Sequence, residues 1–167
     1  MLSDSAIIEQ IPRLRRYARA LTGNRDAADD LVQDTLERAL RRVFLFRPGG
    51  DPRAWLFAIM HNLFVNGVRS PAARRQATAA EAYEPVALDT AHEGLIARDI
   101  ERALALLPSE QREVVLLVGL EELSYGAAAR VIGAPLGTVM SRLARGRERL
   151  RTLLDTNGSA ATLKVIK

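Results

Sequence analysis

The chain is predicted to be all-α: two small helical domains joined by a flexible linker, the C-terminal one a helix-turn-helix. Three observations predict it. Apolar residues recur at steps of three and four along most of the chain, the spacing that lines one face of an α-helix. Long runs that alternate β-branched and polar residues are missing, so no strand is expected. Periodicity lapses between Ser70 and His92, where alanine, arginine, Pro71 and Pro85 dominate. A loop of roughly twenty residues is uncommon inside one compact domain and reads as a boundary. The expected divisions are therefore 5–70, 71–92 and 93–154.

The elements follow in order. Ile7, Ile11, Leu14, Ala18 and Leu21 share one face of a first helix, which Gly23 ends. Asp26 can cap the next. That helix turns Leu31, Thr35, Ala39 and Val43 inward and leaves Asp29, Asp30, Gln33, Asp34, Glu37 and Arg38 on more exposed faces. Asp51 followed by Pro52 is a start signal, an N-cap with proline at the first helical position. The helix behind it holds Trp55, Leu56, Ile59, Met60, Leu63 and Phe64 and fades near Arg69.

In the second half, Leu95, Ile96, Ile100, Ala103, Leu104 and Leu107 form an amphipathic helix stopped by Pro108. Ser109 is expected to cap the following helix, with Val114, Val115, Leu117 and Val118 buried. Ser124 is a good N-cap for a short helix whose apolar face is Ala127, Ala128, Val131 and Ile132. Gly133 stands where a left-handed residue closes it, and Pro135 stands just ahead of a last helix. There Val139, Leu143 and Leu150 fall on one side, while Arg142, Arg145, Arg147, Arg149 and Arg151 are left mostly to the others.

Composition narrows the function. At 167 residues the chain is long enough to bury a real core, and apolar content near half with a quarter charged residues marks a globular protein. The net charge of +4 is unevenly spread. Residues 1–80 carry 13 bases and 8 acids, 81–122 carry 3 bases and 10 acids, and the remainder 8 bases and 2 acids. Two basic ends around an acidic middle suggest two contacts with a polyanion. There is no cysteine, and His61 and His92 lack metal-ligand spacing, so no metal or cofactor is expected. No apolar run approaches the ~20 residues of a membrane span and no signal-peptide pattern opens the chain, which points to the cytoplasm. No serine, histidine or carboxylate arrangement suggests catalysis, and no glycine loop resembles a phosphate cradle.

Two features could carry binding. A helix-turn-helix places its second helix in the major groove, with N-terminal residues at base edges and flanking cations on phosphates. Between Gly137 and Arg151 five arginines meet one acid, Glu148, too few acids for self-neutralising pairs. An arginine-rich terminal helix can be a mere solvated face, but here it follows the right turn chemistry in the right order. The acids of the second helix are by default a solvated face as well; the competing reading is a docking ridge of Asp30, Gln33, Asp34 and Arg38 for a basic partner. Trp55, Phe57 and Phe64 read as core. His61 and Asn62 interrupt an apolar helix, and Asn62 has the donor and acceptor edge that reads bases.

With these residues in view, the chain resembles the extracytoplasmic-function (group IV) sigma factors of bacterial RNA polymerase, from about Ile8 to Arg151. Asp26–Leu40 is similar to the family's region 2.2, Phe46–Leu63 to the region that recognises and melts the −10 element, and Leu107–Val114 with Leu123–Arg151 to regions 4.1 and 4.2. The resemblance implies promoter recognition and transcription initiation with core polymerase, contacted at the β′ clamp helices and the β flap. It implies that Asp30, Gln33, Asp34 and Arg38 dock on the polymerase. Arg47, Asp51 and Asn62 would hold an unstacked −10 base, since a flipped base needs a pocket and an edge to bond. Thr138, Met140, Ser141 and Arg145 would face the −35 groove, with Arg142, Arg147 and Arg149 on phosphate. Gly126 and Ala127 replace the family's usual acids, so the reciprocal capping box is absent, and Met140 stands where a cation is common. Nothing past Asp155 looks like an added regulatory domain, so control is expected from a separate anti-sigma factor. The competing classes are a stand-alone helix-turn-helix regulator, which leaves the first half unexplained, and a sigma-like decoy that binds an anti-sigma protein and no DNA.

Overall fold

The computed structural model describes residues 2–69 and 91–156, and among these every regular element is helical. The first helix of the sequence reading is two. α1 (Asp4–Ile8) is capped by Ser3, and α2 (Ile11–Thr22) begins anew at Pro12, whose ring suits a first turn and cannot continue a preceding one. Gly23 ends α2 at φ 67°. α3 (Arg25–Arg41) is capped by Asn24, whose side chain accepts from the Ala27 amide at 2.9 Å. Asp26, expected at the cap, lies inside the first turn, where its charge meets the helix dipole. A 3₁₀ turn (Val43–Leu45) leads to a loop and then to α4 (Pro52–Arg69). Asp51 caps α4 as expected, its Oδ1 accepting from the Arg53 amide at 2.9 Å.

Residues 70–90, which include 71–90 of the expected linker, lie outside the described residues; Ala91 and His92 already belong to α5 (Ala91–Ala105). α6 (Ser109–Val115) starts at Ser109 but is not capped by it: Pro108 holds the cap position, without a side-chain bond. α6 runs into a π turn, Leu116–Leu120, closed by the Glu121 amide donating to the Leu116 carbonyl at 3.0 Å. The wider turn changes which residues face inward within it. Leu116 and Leu117 are buried beside Val114, whereas Val115 and Val118, expected inside, are half-buried. α7 (Tyr125–Ile132) and α8 (Leu136–Thr156) complete the chain, joined through Gly133 at φ 62°.

α2 packs on α3 and α3 on α4; α6 and α7 pack on α8. The two sets share one continuous core, running from Leu14, Tyr17, Leu21, Leu56, Phe57 and Met60 to Leu117, Val131, Val139, Leu143 and Leu150. Few contacts between the halves are expected from the sequence, but here they dock. α7 lies against α4, and α2 meets α5, α6 and the π turn. The cause is legible in α4, which carries apolar residues nearly all round and has to be covered on both sides, by α3 and by α7.

Candidate nucleic-acid and protein interfaces

The first surface is the outer face of α3. Ala28, Val32, Thr35 and Ala39 are buried, and the Thr35 hydroxyl is satisfied by donating to the Leu31 carbonyl at 2.7 Å. That orientation turns Asp30, Gln33 and Asp34 to solvent along one ridge, with Arg38 half-buried at its end. Asp29 and Glu37 flank the ridge, and Glu37 is paired with Arg41 at 2.6 Å. The result is an acidic strip from Asp29 to Glu37, about two turns of α3.

The second surface lies in the loop before α4. The Gly50 amide donates to the Arg47 carbonyl at 3.0 Å across Pro48 and Gly49, and Gly49 sits at φ 78°. Proline and then a left-handed glycine is the chemistry of a type II turn. Phe46 stacks edge-on against Trp55 with centroids 5.4 Å apart, pinning the turn to α4. A groove opens between them, lined by Arg47, Asp51 and Trp55 from the first half and by Arg130 and Val131 of α7 from the second. Arg47 and Asp51 are exposed at it. Asn62 is exposed one turn further along α4 from Ala58, which lines the groove, and its Nδ2 donates to the Ala58 carbonyl at 2.9 Å. His61, its neighbour, turns the other way, half-buried against Glu113.

The third surface is α8. Val139, Leu143, Gly146, Leu150 and Leu154 are buried. Opposite them Leu136, Gly137, Met140, Ser141, Ala144, Arg145, Glu148 and Arg149 form one exposed stripe. Of the residues expected at base edges, Met140, Ser141 and Arg145 lie on the stripe, while Thr138 is half-buried and its carbonyl accepts from the Ser141 hydroxyl at 3.1 Å. Arg142 is drawn back to Glu110 at 3.2 Å, Arg147 is half-buried and Arg149 is exposed. Ser124 caps α7 as expected, its Oγ accepting from the Ala127 amide at 3.1 Å.

The sequence reading missed the polar seam between the halves. Glu121 is fully buried; Arg16 Nη2 donates to its Oε1 at 2.9 Å, and Arg13 Nη1 lies 3.5 Å from its Oε2. That second contact is an ion pair without hydrogen-bond alignment, which leaves Oε2 unsatisfied. Arg53 donates to the Glu121 carbonyl at 3.2 Å. Glu113, also buried, has its Oε1 2.5 Å from His61 Nδ1, which donates to it. Arg112 ties four carbonyls together, those of Leu104, Ala105 and Leu107 near the end of α5 and that of Leu21 at the end of α2. Burial lowers its pKa. Tyr17 is buried in this seam with no partner for its hydroxyl, and burial first, then Glu113 and Glu121, raise its pKa well above the usual phenol value. The acidic middle of the sequence thus partly serves to hold the basic first half.

Among the described residues no cluster of histidine and carboxylate side chains could hold a metal ion, and no helix is long and apolar enough to cross a membrane. A helical protein with an exposed acidic ridge on one half and an arginine-bearing helix-turn-helix on the other is of the class that joins a protein partner to DNA. The comparisons are more specific. Residues 7–61 match the family described as the Sigma2 domain of PhyR, and residues 97–150 match Sigma-70, region 4. The chain is 41% identical over 158 residues to the ECF RNA polymerase sigma factor EcfG of Rhodopseudomonas palustris, covering 92% of this chain and 85% of that protein. It is 38% identical to the ECF RNA polymerase sigma factor SigM of Mycobacterium tuberculosis, over 85% of this chain and 71% of that one. Among solved structures it is similar to the sigma factor RpoE of Bartonella quintana in complex with the anti-sigma factor NepR, with TM-score 0.78, 33% identity, and 89% and 94% of the two chains covered. CnrH in complex with the cytosolic domain of CnrY follows at TM-score 0.66 and 27% identity, covering 90% and 85%. The chain belongs to the ECF RNA polymerase sigma factors.

Proposed function

We propose that this chain binds core RNA polymerase in the cytoplasm through the α3 ridge, reads a −35 element with α8, holds an unstacked −10 base at the loop before α4, and so directs transcription initiation at its own set of promoters. The observation that carries the reading is the pairing of the two surfaces in one chain: an exposed Asp30, Gln33 and Asp34 ridge on the half matching a sigma-2 domain, and an exposed Met140, Ser141 and Arg145 stripe on the half matching region 4. Charge makes the division of labour. An acidic ridge repels DNA and suits a basic protein face, such as a polymerase clamp, while guanidinium groups in a major groove take guanine edges or phosphate. The β flap of the polymerase is the second expected contact, through the 93–154 half. The reading assigns the chain no reaction of its own.

A separate anti-sigma factor is the proposed regulator, because a sigma factor similar to this chain in fold, RpoE of Bartonella quintana, was solved bound to the anti-sigma factor NepR. A decoy that binds only an anti-sigma factor is the second reading, favoured by the match of residues 7–61 to a domain of PhyR, which is itself described as an anti-anti-sigma factor in complex with the anti-sigma factor NepR. The two separate in one experiment, promoter affinity of holoenzyme across −35 variants at several salt concentrations. A sigma factor should lose ~1–3 kcal/mol and relax its preference at one base pair on Arg145→Ala. Arg149→Ala should weaken all sequences alike and lower the salt slope by about one. If Arg145→Ala changes neither affinity nor preference, the groove reading fails and the decoy moves ahead.

A further inference from the structure

We propose that Leu136, Met140 and Ala144 form an apolar row on the leading turns of α8 that reads thymine methyl groups, so that part of this protein's promoter choice is made by methyl contacts. The inference rests on the reading of α8 as the helix that enters the major groove.

The exposed stripe of α8 is two adjacent rows with a step of four. One is polar or small, Gly137, Ser141 and Arg145; the other begins Leu136, Met140 and Ala144. Residues spaced by four lie one above another on the same face. Leu136 and Met140 are each 50% exposed, large apolar side chains standing in solvent. The core does not need them, because α8 packs inward through Val139, Leu143, Gly146 and Leu150. A single exposed leucine means little, but a row of three beside a hydroxyl and a guanidinium is a patterned surface. It lies at the N-terminal end of the helix, the end a helix-turn-helix brings to base edges.

The chemistry then selects the ligand. In the major groove guanine, cytosine and adenine offer donors and acceptors, and only thymine offers an apolar group, its C5 methyl. A methionine or leucine at a base edge leaves polar edges unsatisfied and removes a methyl from water, so it favours thymine on whichever strand it meets. The thioether stem of Met140 is flexible enough to follow a methyl that a branched side chain would miss. Ser141 and Arg145, on the next row, would take polar edges alongside.

The test uses holoenzyme assembled from core polymerase and the full chain. Duplexes are selected from a pool randomised across the upstream element, and the best is rebuilt with deoxyuridine at each thymine in turn, which removes the methyl alone and keeps the pairing. We expect one or two positions at which deoxyuridine weakens binding by about three- to five-fold, the effect of one buried methyl. Met140→Ser should abolish that sensitivity while lowering affinity for the thymine duplex to match. Arg145→Ala should relax preference at a different base pair and keep the sensitivity. If deoxyuridine is silent everywhere while Arg145→Ala still loses base preference, the methyl contacts are overturned and the groove reading stands. If sensitivity survives in Met140→Ser, the assignment to Met140 is overturned. If both are silent, the groove reading falls as well.

Discussion

Tyr17 is expected to set the alkaline limit of this fold. Its phenol is buried, has no hydrogen-bond partner and sits near two buried carboxylates, so the folded chain holds its proton more tightly than the unfolded chain does. A raised pKa of this kind contributes stability that is complete below the unfolded value of about 10 and is lost as pH rises through the folded value. The melting temperature should therefore fall above about pH 10, and Tyr17→Phe should flatten that fall. At neutral pH the same variant should stay within about 1 kcal/mol of the parent, because it also removes an unsatisfied hydroxyl. Parallel declines in parent and variant would show that Tyr17 is not responsible. Glu122 is a strained residue, the one non-glycine at positive φ among the described residues, at 53°. It is exposed, so little is lost by truncating it. Glu122→Gly should stabilise by roughly 0.5–1 kcal/mol, the relief of left-handed strain less the added freedom of the unfolded chain. A urea midpoint that stays put or falls would contradict this.

Individual residues were legible where their chemistry is local. Asp51, Ser124, Gly23 and Gly133 close or open helices as their types demand. Where two neighbours were equally suited, the sequence could not choose, as with Asn24 over Asp26. Glu113 and Glu121 were illegible for a stronger reason. A carboxylate in a helical segment reads as a solvated face, and Arg16, which neutralises Glu121, is 105 residues away.

At the scale of elements, helix periods gave the right order and faces except where a backbone device intervened. Pro12 split the first helix, and in the π turn after Val115 it is Leu116, not Val118, that is buried beside Leu117. α8 approaches α6 closely at Gly146. A Cβ added at Gly146 would stand 2.7 Å from Val115 Cγ2, a stiff branched side chain that cannot swing clear. Gly146→Ala should cost about 1–3 kcal/mol through overpacking. In the background of Val115→Ala the same change should cost markedly less, giving a double-mutant coupling above about 0.5 kcal/mol. Additive effects in a denaturant series would mean the helices do not meet there as described.

The whole molecule differs most from the sequence expectation, since its halves are docked through a seam that no periodicity announces. Arg13 and Arg16 are about half exposed, whereas Glu121 is fully buried, so the two sides of the pair are not equivalent. Removing the carboxylate returns two cations to water; removing the cations strands a buried charge, which is much worse. The chain can relieve that charge by opening. Arg13→Ala with Arg16→Ala should therefore raise the radius of gyration in small-angle scattering while helical content is kept, and Glu121→Gln should do so less. An unchanged radius in the double variant would show that apolar docking of α4 on α7 alone holds the halves. Opening also matters for the groove before α4, because Arg130 and Val131 form its far wall.

As an ECF sigma factor, this chain gives core polymerase its promoter choice. The most direct measurement is run-off transcription with core polymerase, the full chain and a genomic promoter library, beside the Asp30→Arg and Asp34→Arg double variant. Discrete start sites should appear only with the parent chain and be lost in the double variant, whose circular dichroism should be unchanged. Start sites that persist undiminished with the double variant would contradict the ridge, and a parent chain that captures an anti-sigma protein yet yields no transcripts would contradict its role in promoter choice.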